Sequence, residues 1–461
     1  MKILLISTLY LKRVGNQALT NTLLGLAEAG HDVVFLQIRG EEVQPEAARL
    51  HARVSVRHYG VLPRPARRLM LKLFMGAKAA ERSILGRSRT RPVGRTDAGT
   101  PPSSMGYVPS APQTLVQVIG DKVHWALFQA VAIWQGWRIC RREGVDAIYG
   151  YEVWGAPAAS VLGRLLRLPV VTRFQGTSFL RSILGSRRMR LLFFDRVLAT
   201  RSRADLVVMT NDGTKGDEVL RILGVPQERV LFVTNGVNRG ASGLELDREV
   251  ARRQLGLPLD APLLLTVSIL AFWKRVDRAV RMLSSVVQAH PDTRLIIVGQ
   301  GPEGDRLARL AADLGVSESV LLVGGVPHAE VMKYYRAADI FISAYDLSNR
   351  GNPMFEAMVA GCCIVTLADG SVDDLLMNGE SGVLVDPDRL DDELPKNVVA
   401  LLGDPDRRAL LGAAAKRAAG QRLATWEERR EVEVHRIEAA VRDHRAARRG
   451  PRRSPGEGGS S

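Results

Sequence analysis

Four glycine-bearing turns could each hold an anion. Gly15-Asn16 follows the first apolar run, and Asn235-Gly236-Val237-Asn238 follows a run near the middle of the chain. Gly299-Gln300-Gly301-Pro302-Glu303-Gly304 and Gly351-Asn352-Pro353 follow two later runs. A glycine turn that leaves a parallel strand and opens a helix presents free backbone amides to phosphate. Lys274-Arg275-Val276-Asp277 adds cations after the run Leu263–Val267, where a diphosphate would be paired. Asp277 also fits the plainer role of an acid at a helix start. Glu152, at the mouth of another strand, is a carboxylate candidate for the cleft. No G-x-x-x-x-G-K-[ST] is present, which excludes a P-loop nucleotidase. The histidines are scattered and the cysteines are Cys140 and the adjacent pair Cys362-Cys363, so no metal site is expected.

Those turns need parallel sheets to position them. Ile3–Ile6, Val33–Ile38, Ala147–Tyr149, Val170–Thr172, Leu206–Met209 and Leu231–Val233 read as buried strands. Leu263–Val267, Leu295–Val298, Val320–Val323, Ile340–Ser343 and Ile364–Thr366 continue the series. Amphipathic helical runs lie between them, which predicts an α/β protein with helices on both faces of its sheets. Eleven strands exceed one ordinary sheet, so two doubly wound domains are expected, with a glycine- and proline-rich hinge near 236–262. Trp125, Trp134 and Trp137 follow helical spacing and read as core.

The 461 residues carry 64 Lys+Arg and 49 Asp+Glu, a net charge of +15. Residues 1–230 hold 34 basic and 17 acidic residues, whereas 231–461 hold 30 and 32, so the first half attracts anions and the second does not. Much of the excess lies in 60–120, an insertion into the strand–helix alternation. Arg64–Leu85 reads there as a basic amphipathic helix, either lying on an anionic membrane or packed on the N-terminal domain with a solvated basic face. The stretch 448–461 reads as a disordered tail. Disordered, fibrous and disulfide-scaffold classes are excluded by 46% hydrophobic residues and three cysteines. The apolar start Ile3–Ile6 reads as a strand and not a signal peptide, and a reducing cytosol fits the cysteines best. High basicity without a readout motif is no argument for nucleic acid.

At this point the chain resembles the GT-B glycosyltransferases of family 4, the retaining nucleotide-sugar enzymes. Gly30-His31-Asp32-Val33 is similar to the family's second-strand motif, and Asn235-Gly236-Val237 to its domain-junction motif. Lys274 and Asp277 fit K-x-x-D, Gly299-Gln300-Gly301-Pro302 fits GxGP, and Phe355–Gly361 fits the C-terminal EAMAxG. Coverage is roughly 1–58 and 120–445. The resemblance implies GT-B: an acceptor domain over 1–235, a donor domain over 236–424, and a helix over 425–447 returning to the first domain. Lys274 would pair with the donor diphosphate, Glu356 would accept the ribose hydroxyls, and Gln175 would stand where the family commonly has His. Gly15, Asn16, Ser268, Arg275, Gly299 and Val326 would line the donor, together with Asp346, Asn349, Arg350, Gly351, Asn352, Pro353 and Met354. Glu152 and Thr177 are acceptor-side candidates.

Two departures stand out. Ser348 occupies the place, eight residues before Glu356, of the family's first Glu, which leaves Asp346, Asn349 or Arg350 as substitutes. Gln175 cannot accept a proton at neutral pH. The implied activity is transfer of a hexosyl or N-acetylhexosaminyl group from a nucleoside-diphosphate sugar, a UDP-sugar first, without a metal or other cofactor. The implied acceptor is a hydroxyl of a glycan, lipid-linked or small molecule, reached in the cytoplasm, with peripheral contact to the inner membrane face left open. A degenerate nucleotide-sugar binder or scaffold and a sugar-nucleotide 2-epimerase are the competing readings. The epimerase needs carboxylates and His around the sugar, which Gln175 and Ser348 argue against.

Overall fold

The computed structural model describes residues 1–9, 17–38, 50–59, 115–177, 179–241 and 243–449. Gly15, Asn16, the Arg64–Leu85 segment and the 448–461 tail beyond Arg449 lie outside these residues. Two parallel sheets dominate. The first has seven strands: β1 (Lys2–Ser7), β2 (Asp32–Ile38), β3 (Val54–Tyr59), β4 (Ala147–Tyr151), β5 (Val170–Phe174), β6 (Leu206–Thr210) and β7 (Val230–Val233). Their order is β3-β2-β1-β4-β5-β6-β7. The second has six: β8 (Leu263–Val267), β9 (Arg294–Val298), β10 (Val320–Gly324), β11 (Ile340–Ser343), β12 (Cys363–Leu367) and β13 (Val383–Val385). Their order is β10-β9-β8-β11-β12-β13. In both sheets the order reverses beside the first strand of the unit, which opens a crevice at the carboxyl ends of the strands. The central strands β4, β5, β6 and β8 are buried along their whole length because helices cover both faces, and β6 and β8 accordingly read as near-continuous Val and Leu runs.

Among the described residues thirteen strands are present where the apolar runs predict eleven. The two additions are edge strands. Only Val54 of β3 is buried, and β13 is three residues long, so neither needs the apolar run that marks a central strand. The expected hinge over 236–262 is in part the helix Arg248–Leu255, tied down by Arg252, whose Nη2 bonds Asp339 at 2.8 Å. Trp125 is buried, but Trp134 and Trp137 are 54% and 41% exposed. Nine residues along a helix of 3.6 per turn place Trp134 half a turn from Trp125, on the opposite face. Arg138 and Arg141 cover the two exposed rings at 4.8 and 5.7 Å.

The helix Trp426–Arg449 packs on the helix Gln17–Glu28, and its Ile437 and Val441 join the core of the first sheet. The chain therefore crosses between the sheets twice, and the crossings are hydrogen-bonded to each other. Val237 N donates to the Ala424 carbonyl at 3.0 Å, and Trp426 N to the Val237 carbonyl at 3.2 Å. Gly236 is required there, since a Cβ would stand 2.5 Å from the Trp426 backbone. Among the described residues no helix is long and apolar enough to cross a membrane.

Candidate active site

The C-terminal side is built from loops at the carboxyl ends of β8, β9 and β11. After β8 the chain makes a turn at Phe272–Lys274 and enters the helix Val276–Ala289 through Arg275, held at φ 43°. Lys274 is half-buried, with Nζ 4.2 Å above the Tyr345 ring. Burial lowers its pKa to about 8, and the charge of Asp212 opposes that shift. Arg275 turns away to Asp277 (3.1 Å) and Asp346 (3.3 Å), and Arg278 also holds Asp346 at 2.8 Å. Gly299, at φ 141°, passes so close to Ser268 that a Cβ would lie 1.8 Å from the Ser268 carbonyl oxygen. Ser268 is buried beneath it.

The helix Asn352–Ala360 starts at Gly351 with a proline in its first turn, the arrangement in which the missing N–H costs nothing. The loop before it is braced from below. Asn349 Oδ1 accepts from Ser343 Oγ (2.8 Å) and Tyr345 N (2.9 Å), and Arg350 pairs with Asp374. Asn349, Arg350 and Met354 are buried. The three residues offered as substitutes for the missing Glu are thus each engaged, Asp346 by two arginines, Asn349 by the strand end and Arg350 by Asp374.

Glu356 lies one turn into that helix, 14% exposed at its side chain. Its Oε1 meets His328 Nε2 at 2.7 Å and accepts from Gln17 Nε2 at 3.3 Å. Its Oε2 accepts from Tyr335 Oη at 3.3 Å. The hydrogen bond to Glu356 raises the His328 pKa above its ordinary value, against the effect of burial. Gln17, His328 and Glu356 line a cleft between the two sheets, with Gly236, Asn352 and Trp426. Val326, half-buried, sits two residues before His328 and packs on the core of the second sheet.

The N-terminal side faces this from the ends of β4, β5 and β6. Glu152 closes β4 at φ 62°, a left-handed conformation that costs a non-glycine residue energy and is retained mainly where function needs it. Its Oε1 accepts the Gln175 N–H at 2.7 Å. Burial raises its carboxyl to about 7, although that hydrogen bond and Arg173 pull the other way. Gln175 Nε2 donates to Tyr151 Oη at 2.5 Å, and its Oε1 accepts from Asn235 Nδ2 at 3.4 Å. Asn235 Nδ2 also reaches Asn352 Oδ1 at 3.1 Å, joining the two halves at the cleft. Thr177 is buried and bonded to Thr214 through both its N and Oγ1 (2.9 and 3.0 Å).

The structure therefore brings Gln175 and Glu152 together on one side, and Glu356, Gly351 and Asn352 on the other, with Lys274 facing Asp212 across the domains. Gln17, Asp212, Asn235, His328 and Tyr335 were not singled out as site residues by sequence reasoning. Asn235 lies in a segment already marked by its glycine, and His328 and Tyr335 in the stretches Gly324–Val331 and Tyr335–Asp339, which resemble the family's base-contacting loop and following helix, whereas nothing local marks Gln17 or Asp212. Among the described residues no group of three or more His, Cys, Asp or Glu could hold a metal ion.

Comparison with known proteins gives this geometry its context. Residues 247–418 match the family model of the glycosyl transferases group 1, and residues 15–236 match a glycosyl transferase 4-like domain. A D-inositol 3-phosphate glycosyltransferase of Thermobispora bispora is 30% identical over 304 residues, covering 64% of this chain and 68% of the relative. A GDP-mannose-dependent alpha-(1-6)-phosphatidylinositol monomannoside mannosyltransferase of Mycolicibacterium smegmatis is 32% identical, over 38% of this chain and 47% of the relative. The fold is that of Anabaena HepE, solved with UDP (TM-score 0.64, 17% identity, 95% of this chain and 100% of that one). It is shared with WaaG, a glycosyltransferase involved in lipopolysaccharide biosynthesis (TM-score 0.64, 16% identity, 95% and 98%). With two sheets facing across a cleft and both halves matched, the chain belongs to the GT4-like glycosyl transferases group 1 family, enzymes of the GT-B fold.

Proposed function

We propose that this glycosyltransferase is a retaining enzyme that moves a hexosyl or N-acetylhexosaminyl group from a nucleoside-diphosphate sugar, a UDP-sugar first, to a hydroxyl of an acceptor. One observation carries the reading: Glu356 and Asn352 at the amide end of its helix share one cleft with the junction residues Gly236 and Val237, while Lys274 stands on the neighbouring loop. A carboxylate at the second turn of a helix suits a ribose diol, and an ammonium beside a helix N-terminus suits a diphosphate. The Mycolicibacterium relative bears the name of a GDP-mannose-dependent enzyme and the Anabaena neighbour was solved with UDP-glucose, so a sugar nucleotide is the donor class and both bases enter the test.

In the proposed transfer the bond between the anomeric carbon and the diphosphate oxygen breaks as the acceptor oxygen approaches on the same face. Lys274 and the amides near Gly351 hold the charge that develops on the leaving diphosphate, where fixed charge is worth most. The departing phosphate oxygen takes the acceptor's proton, so Gln175 need not act as a base. Gln175, Glu152 and Thr177 line the acceptor side. No divalent ion is assigned a part in this reading, since Lys274 supplies the cation. The proposed acceptor is a natural-product or cell-envelope intermediate. The proposed setting is the cytoplasm, in keeping with three free, buried cysteines, and the basic N-terminal half would face an anionic acceptor or membrane surface.

Thermal unfolding with UDP, GDP, ADP and TDP at about 1 mM tests the donor site. A diphosphate present at about 100 times its dissociation constant stabilises by ~2.7 kcal/mol. One of the four should shift the wild type, and Glu356→Ala should lose that shift. A wild type that none of them shifts refutes the reading and leaves a binder or scaffold.

A further inference from the structure

Asp212 is an anion standing where an anion is to bind. It follows β6 in the turn Asn211-Asp212-Gly213-Thr214, and that turn is fixed on both sides. Its Oδ1 accepts from Thr214 N (3.1 Å) and Thr214 Oγ1 (2.6 Å). From the other domain, Ser348 Oγ donates to the Asp212 carbonyl, and a Cβ on Gly213 would lie 2.2 Å from Ser348 Oγ and 3.1 Å from Arg350 Cβ. The turn thus rests flush on the loop that leads into the helix Asn352–Ala360. On its remaining side, a Cβ on Gly176 would stand 1.9 Å from Asp212 Oδ2, so the bare backbone after Gln175 is what makes room for the carboxylate.

The protein's own groups balance their charges in one way, and a bound donor needs another. Asp212 and Lys274 face each other, each favouring the other's charged form against burial. A diphosphate arriving at Lys274 takes over as its counter-ion. Asp212 is then a crowded carboxylate beside a second anion, which is costly unless neutral donors bond to it. The turn cannot swing away without breaking its bond to Ser348, and the carboxylate cannot rotate away without breaking those from Thr214. The neutral donors that arrive attached to the diphosphate are the hydroxyls of its sugar, and one carboxylate accepts two adjacent hydroxyls well.

Resting on the donor-site reading above, we propose that Asp212, delivered by the N-terminal domain, binds the donor sugar through its hydroxyls and sets a requirement for free hydroxyls on that face. The residue adds no covalent step. It acts as a clasp, because sugar binding then needs the Asp212 turn seated on Ser348.

The test compares dissociation constants of UDP with UDP-glucose, and of GDP with GDP-mannose, by calorimetry for wild type, Asp212→Asn and Ser348→Ala. Wild type binds the matching sugar nucleotide at least tenfold more tightly than its diphosphate. Asp212→Asn keeps the bond from Thr214 Oγ1 and binds the diphosphate within threefold of wild type or better, having lost an anion, but loses the tenfold preference for the sugar form. Ser348→Ala, which keeps the carboxylate and loosens its seat, loses part of that preference. An unchanged preference in Asp212→Asn overturns the proposal and leaves Asp212 as the counter-ion of Lys274 alone. Equal binding of diphosphate and sugar nucleotide by wild type overturns it as well, while the donor-site reading stands. Absence of all diphosphate binding to wild type removes that reading, and the proposal with it.

Discussion

Replacing Glu433 by Gln should unseat the C-terminal helix. Glu433 lies on Trp426–Arg449, 5% exposed at its side chain, and its Oε2 meets Arg173 Nη1 at 2.6 Å and Arg429 Nη1 at 3.0 Å. Its Oε1 accepts from Tyr149 Oη at 2.6 Å and Thr22 Oγ1 at 3.4 Å. One carboxylate therefore neutralises part of two guanidiniums that are 1% and 3% exposed. Glu433→Gln keeps the shape and leaves both cations buried without their counter-charge. Breaking a buried pair from one side costs about 3–5 kcal/mol, which lowers the melting temperature of a domain of this size by roughly 6–20 °C. Scanning calorimetry reads the loss. A triple replacement of Arg173, Arg429 and Glu433 by Met or Leu should recover much of it, because the burial penalty of the charges disappears with them. The pH dependence gives a second reading. Burial pushes the Glu433 carboxyl up, but Arg173 and Arg429 outweigh it and hold its pKa below the usual value. A depressed carboxyl contributes stability that is full above the unfolded value near 4.5 and is lost as pH falls through the folded one. The gap between wild type and Glu433→Gln should therefore narrow below about pH 4.5. A loss under about 1 kcal/mol at neutral pH, or a gap unchanged down to pH 3, would refute the reasoning. Because Arg173 Nη2 also donates to Asn235 Oδ1 at 3.4 Å, the variant should weaken donor binding too.

Three other outcomes are expected. Gly299→Ala places a Cβ 1.8 Å from the Ser268 carbonyl at φ 141°, and chemical denaturation should show a loss of roughly 2–4 kcal/mol together with loss of diphosphate-induced stabilisation. In the proposed donor site Lys274 pairs with the diphosphate as an ammonium, and burial lowers its pKa to about 8, so diphosphate affinity should fall as pH rises through that value; calorimetric affinity that stays level to pH 9.5 would count against its role. His328, its pKa raised by Glu356, should hold that carboxylate against ribose once protonated, so affinity should also weaken as pH falls through the raised value, and His328→Gln should flatten only this acid limb.

The fold was legible in the sequence where the physics is local. Strands buried on both faces favour near-continuous apolar runs, and β1, β8 and β11 therefore announce themselves, as do the glycine turns that follow β1, β7, β9 and β11. The edge strands β3 and β13 escaped because one exposed side removes that demand. Lys274 and Glu356 stand in motifs whose spacing is set by single strand–loop–helix units, so their place at the strand ends could be read from neighbours a few residues away.

Partners brought together across the chain could not be read in that way. Trp134 shares a helix with Trp125 yet faces outward, because what covers a helix face is decided by the elements packed on it. Gln17 reaches Glu356 over 339 residues, Arg173 reaches Glu433 over 260, and Ser348 seats Asp212 over 136. The sequence by itself determined two parallel α/β units and the glycine turns at their strand ends, since hydrophobic periodicity and backbone freedom are properties of short segments. Tertiary structure alone decided which charge neutralises which, because a buried ion pair exists only once two distant elements have excluded water from between them.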